Sequence, residues 1–133
     1  MKTINKIFDY AFYRMTKAYK KWDGYRGTTA IFGVSLIQSM LVIDIVLVIF
    51  LESFSKAERL SFSPYDKILI VIIMGTIAIL NFKKYKGKYY SLDEKWKTET
   101  KKEKLIHGFL IILLIVIPII FPILLVSLKD YTQ

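Results

Sequence analysis

The chain has 133 residues, 54% of them hydrophobic, a formal net charge of +9, one histidine and no cysteine. That length allows one compact unit rather than two domains. The absent cysteines exclude disulfides, thiolate metal sites and cysteine nucleophiles, and a single histidine excludes a His-rich metal site within one chain.

Residues 3–23 read as a helix. Ile4, Ile7, Phe8, Ala11, Phe12, Met15, Ala18, Tyr19 and Trp22 recur at steps of three and four and define one apolar face. Lys6, Arg14, Lys17, Lys20 and Lys21 lie on or flank the other side, and Gly24 is placed to end the helix. A helix basic on one side and aromatic on the other is expected to lie in a membrane interface, with those five cations and Trp22 against lipid headgroups. The alternative is a helix docked on a partner's cytoplasmic domain.

Three long apolar runs follow, at residues 28–51, 68–82 and 105–128. About 20 apolar residues cross a hydrocarbon layer of about 30 Å. The expected architecture is an all-α membrane protein with an interfacial amphipathic helix and three transmembrane helices. The first span covers 28–52. Its Ser35, Gln38 and Ser39 share one face and form a mildly polar patch suited to packing on a neighbouring helix. An outer loop covers 53–63. The second span, 64–86, starts at Ser63-Pro64, where Ser caps and Pro takes the first helical position. Gly75 and Ala78 give it a close-packing notch.

A cytoplasmic turn at 87–91, around Gly87, precedes a helix expected to run unbroken from 92 to 128. The pattern Ser91-Leu92-Asp93-Glu94 reads as its capping box. Its first turns carry the charge pairs Glu94/Lys97 and Glu99/Lys102, with Trp96 directed at headgroups or at the amino-terminal helix. The third span occupies 105–128. Pro118 and Pro122 kink it and free the carbonyls of Leu114 and Pro118.

The charge also orients the chain. Lys and Arg number seven in residues 1–27, three in 52–67, nine in 83–104 and one in 129–133. Three spans place the first and third of these segments on one side, and the positive-inside rule makes that side cytoplasmic. The amino terminus is then inside and the carboxyl terminus outside. In this setting the +9 charge points to anionic headgroups, not to nucleic acid.

Asp44 lies inside the first span, where an ionisable residue is costly and marks a site of interest. Counted from Ala30 it lies about 20 Å deep, and Pro118 counted from Leu105 lies about equally deep. A protonated Asp44 could donate to the freed carbonyl of Pro118 and lock the first span to the third. It could instead reach water through the outer leaflet. A third reading is a proton or cation site, or a contact with a partner subunit.

No Gly-rich phosphate loop, zinc spacing, HExxH or serine triad is found in the sequence, and His107 reads as an interfacial residue. The chain is expected not to be an enzyme, with no catalytic residue, metal or cofactor. The segment Phe12-Tyr13-Arg14, Lys17, Tyr19-Lys20-Lys21-Trp22, followed by a span, and the charged helix leading into a Pro-containing last span, resemble small bacterial multi-span membrane proteins with no assigned function. The resemblance implies a bacterial inner membrane. The leading expectation is an accessory or assembly subunit of a larger inner-membrane complex, bound to other membrane subunits or to itself. The alternatives are a homo-oligomeric ion or proton channel using Asp44, and a membrane-perturbing or toxin–immunity type protein.

Overall fold

A computed structural model describes residues 2–55, 57–58 and 64–132. Among them are five helices and no strand: α1 (Lys2–Asp23), α2 (Thr28–Ser53), α3 (Pro64–Tyr85), α4 (Tyr89–Trp96) and α5 (Lys101–Thr132). Three are long and apolar enough to span a membrane, over Thr28–Ser53, Lys67–Tyr85 and Lys101–Lys129. The 53–63 loop lies largely outside the described residues, as does Ser63.

Helix α2 is the central element and touches α1, α3 and α5. Its buried Ala30, Val34, Ile37, Asp44 and Leu51, with half-buried Leu41 and Val48 between them, advance by alternating steps of four and three. That spacing keeps one continuous seam turned inward. Leu41 of this seam and Ile111, Leu114 and Ile115 of α5 pack against the same apolar core. At the far end Lys129 Nζ reaches Glu52 Oε1 at 2.8 Å, so α2 and α5 run side by side in the same direction.

The densest packing lies at the other end, where α1 and α4 close over the helix ends. Phe8, Tyr10, Ala11, Phe12 and Tyr13 of α1 are buried with Tyr85, Tyr89 and Leu92. Phe12 stacks on Tyr85 with ring centroids 4.5 Å apart. The middle of the α1 apolar face therefore packs on this chain's own helices, while Ile4, Tyr19 and Trp22 remain exposed. Glycine makes the α1–α2 turn possible. Gly27 sits at φ +66°, and a Cβ there would meet Thr16 Oγ1 at 2.6 Å and the Phe12 ring at 2.9 Å. Six residues on, a Cβ at Gly33 would meet Met15 Sδ at 2.9 Å.

The expected single helix from 92 to 128 is corrected: the chain forms α4, breaks at residues 97–100 and restarts as α5. The capping box is also misplaced in the sequence reading. Ser91 lies inside α4 and donates to the Lys88 carbonyl at 2.9 Å. The working box is Thr100-Lys101-Lys102-Glu103. There the Thr100 N–H and hydroxyl donate to Glu103 Oε2 at 2.8 and 2.9 Å, and the Glu103 N–H returns to Thr100 Oγ1 at 3.3 Å. The break also dissolves the expected Glu99/Lys102 helical pair, because Glu99 precedes α5 and turns inward. Helix α5 runs on through Pro118 and Pro122.

Candidate functional site

Three polar constellations interrupt the apolar packing. The first forms where α1, the 97–100 break and the start of α5 converge. The Glu99 side chain is 3% exposed. Its Oε2 accepts from the Tyr10 hydroxyl at 2.9 Å, and its Oε1 meets His107 Nδ1. Arg14 Nη1 donates to the Tyr10 hydroxyl at 3.3 Å. The Tyr10 ring lies edge-on to Trp96 at 5.2 Å and 4.6 Å from the His107 ring. Burial, then the hydrogen bond to Glu99, pushes the Tyr10 hydroxyl up to about 12.

Chemically this is a carboxylate holding an imidazole on one side and a phenol on the other. Glu99 holds the Nδ1 edge of the His107 ring, and the side chain is 39% exposed. His107 opens onto a cleft of about 330 Å³ that also touches Lys6, Lys95 and Trp96. The same end carries a second polar contact. Tyr85 donates to Asp9 Oδ1 at 2.9 Å, and Lys84 Nζ lies 3.0 Å from the same oxygen.

The second constellation lies between α2 and α3. Asn81, 4% exposed, donates through Nδ2 to Ser35 Oγ at 3.0 Å and to Gln38 Oε1 at 2.7 Å. The Ser35 and Ser39 hydroxyls donate to the Ile31 and Ser35 carbonyls at 2.7 Å. Ser35, Gln38 and Ser39 thus form one patch, and Asn81, which the sequence reading passed over, is its partner. A lone polar residue near the end of an apolar run was the available signal. Gly75 and Ala78 lie beside this patch along an open groove with Phe32, Gly33 and Leu36, and a Cβ at Gly75 would meet nothing within 4 Å.

Asp44 is the third. It is 8% exposed, in the α2 seam. No donor among the described residues reaches its carboxylate. Pro118 is fully buried. Asp44 lies about 12 Å back from Glu52 along α2, and Pro118 about 16 Å back from Lys129 along α5. Given the length of a lysine side chain, the two sit within about one helical turn of the same level.

The expected headgroup cations Lys6, Arg14, Lys17, Lys20 and Lys21 are exposed on α1, and Trp22 is 75% exposed. Some also serve the fold. Lys17 donates to the Tyr13 hydroxyl at 3.1 Å, a bond that holds its ammonium above the ordinary lysine range. Lys20 lies 4.5 Å over the Tyr25 ring. Among the described residues, no group of three or more His, Asp or Glu side chains is placed to hold a metal ion. No protein-family model matches the chain, and no curated protein or solved structure matches it.

Proposed function

We propose that this chain is a small, non-enzymatic integral membrane protein of a bacterial inner membrane, acting as an accessory or assembly subunit of a larger complex. Its amino terminus and the 86–100 segment face the cytoplasm, the side favoured by 16 of its 20 Lys and Arg residues. The amino-terminal helix lies at the membrane interface on that side, through its exposed cations and Trp22.

The observation that carries the subunit reading is the open α2–α3 groove. Its walls pair bulky Phe32 and Leu36 with small Gly33, Gly75 and Ala78, and the space over Gly75 is empty. Helices associate in membranes through such small-residue surfaces, because lipid offers no hydrophobic drive. A partner helix seated over Gly75 would fill the groove. Gentle extraction followed by a mass measurement tests this. The wild type should run as a particle heavier than one chain, and Gly75→Leu should reduce it to one chain. A wild type that is already a single chain defeats the reading.

A second reading, a homo-oligomeric ion or proton channel, is favoured by Asp44 alone, a buried acid with no donor among the described residues. Three spans cannot enclose a pore, so the path would lie between copies. Flux through liposomes that is unchanged in Asp44→Asn defeats it.

A further inference from the structure

We propose that the wedge between α1 and the first turns of α5 binds one anionic phospholipid, its phosphate held by Arg14, Lys101 and Lys104 and an acyl chain lying along α5. The inference rests on the membrane reading above and gives it a specific ligand. Two recesses meet here. A polar one of about 390 Å³ is lined by Arg14, Lys17 and Lys104, and an apolar groove of about 770 Å³ continues from Arg14, Lys101 and Lys104 past Leu105, Phe109 and Ile112. Arg14, Ala18 and Lys104 line both, so the two form one continuous surface.

Charge decides the headgroup. The nearby carboxylates are already engaged: Glu99 by Tyr10 and His107, Glu103 by the Thr100 cap. Arg14 bonds a neutral hydroxyl, and Lys101 and Lys104 form no ion pair among the described residues. Arg14 of α1 and the Lys101/Lys104 pair of α5 therefore converge on a recess whose one lining carboxylate, Glu99, is turned to Tyr10 and His107. An arginine supplies the planar donors suited to phosphate, and each basic group near a lipid surface adds attraction for anionic headgroups.

The polarity gradient identifies a lipid rather than a free anion. The apolar wall begins at Leu105, the residue after Lys104, and ends at Ile115, about 15 Å further along the helix. That is about one leaflet of a hydrocarbon layer of about 30 Å. Met15 and Tyr19 of α1 form the opposite wall, so a chain lying there touches protein on two sides.

The test is native mass spectrometry of the full chain in neutral detergent, titrated with phosphatidylglycerol or phosphatidylcholine of the same acyl chains. One phosphatidylglycerol should be retained, roughly tenfold or more tighter than phosphatidylcholine. Arg14→Gln/Lys104→Gln should abolish the preference, and Arg14→Lys/Lys104→Arg should restore it. Lys83→Gln/Lys88→Gln, which removes equal charge away from the groove, should leave it intact. Millimolar inorganic phosphate should not displace the lipid. Equal affinity for the two lipids, equal loss in the Lys83/Lys88 variant, or full displacement by phosphate overturns the site. An alkaline carbonate wash separates the two levels. Release of the chain defeats the membrane reading, whereas retention without lipid preference defeats the lipid site alone.

Discussion

Asn81 of α3 donates to Gln38 of α2 across 2.7 Å, joining residues 43 positions apart inside the apolar layer. The same amide nitrogen reaches Ser35 Oγ at 3.0 Å, so one side chain ties α3 to two successive turns of α2. A polar group left unmatched in such surroundings is costly, which makes the pairing specific for register. Asn81→Ala should lower stability by about 1 kcal/mol, the usual scale of hydrogen bonds between membrane helices. A double-mutant cycle with Gln38→Ala in a detergent unfolding assay should return a coupling of about 0.5 kcal/mol or more. Strict additivity would show that the contact contributes nothing.

Gly27 and Gly24 both have positive φ, +66° and +61°, but only Gly27 faces a packed neighbour. Gly24→Ala should cost only the backbone penalty, about 1 kcal/mol. Gly27→Ala adds a collision with Thr16 and Phe12 and should cost about 2–3 kcal/mol or more. Thermal melts of the two variants in one detergent check this. Equal losses would mean that α1 is not seated against the α1–α2 turn.

Tyr10 gives a pH signature. Its folded value of about 12 stands above the ordinary value of 10.0, so between the two the folded chain keeps a proton that the unfolded chain has released. Its contribution to stability is complete below about pH 10 and declines as pH rises toward about 12. Wild type should therefore lose stability relative to Tyr10→Phe across that window. A wild-type to Tyr10→Phe difference that stays constant from pH 9 to 12 would place Tyr10 outside the Glu99 cluster.

Asp44 lies in the seam with no donor to its carboxylate among the described residues, so a lock to α5 must work through the neutral acid donating to a freed carbonyl. Asparagine can donate in the same place and leucine cannot. Asp44→Asn should change stability by less than about 0.5 kcal/mol, and Asp44→Leu should lose about 1 kcal/mol. A leucine variant as stable as wild type, or more so, removes the lock.

The helical class and the three long apolar helices were legible because each run carries its own signal in length and hydropathy. The contacts that join the helices were not. Glu99 and Tyr10 are 89 positions apart, and nothing local distinguishes Glu99 from its solvated neighbours. Two Ser/Thr-x-x-Glu patterns stand nine residues apart, at Ser91 and Thr100, and the pattern by itself does not say which one caps a helix. The second prevails because breaking the helix at 97–100 lets Glu99 turn toward Tyr10 and His107. The aromatic face of α1 was equally ambiguous, since a stripe suited to lipid is also suited to a protein core.

The most direct test of the proposed role is the mass of the particle extracted with its surrounding lipid into nanodiscs without detergent. The account predicts a protein mass above that of one 15.6 kDa chain, falling to one chain in Gly75→Leu while that variant keeps its helical content. A wild-type particle holding one copy of this chain and no other protein would contradict it.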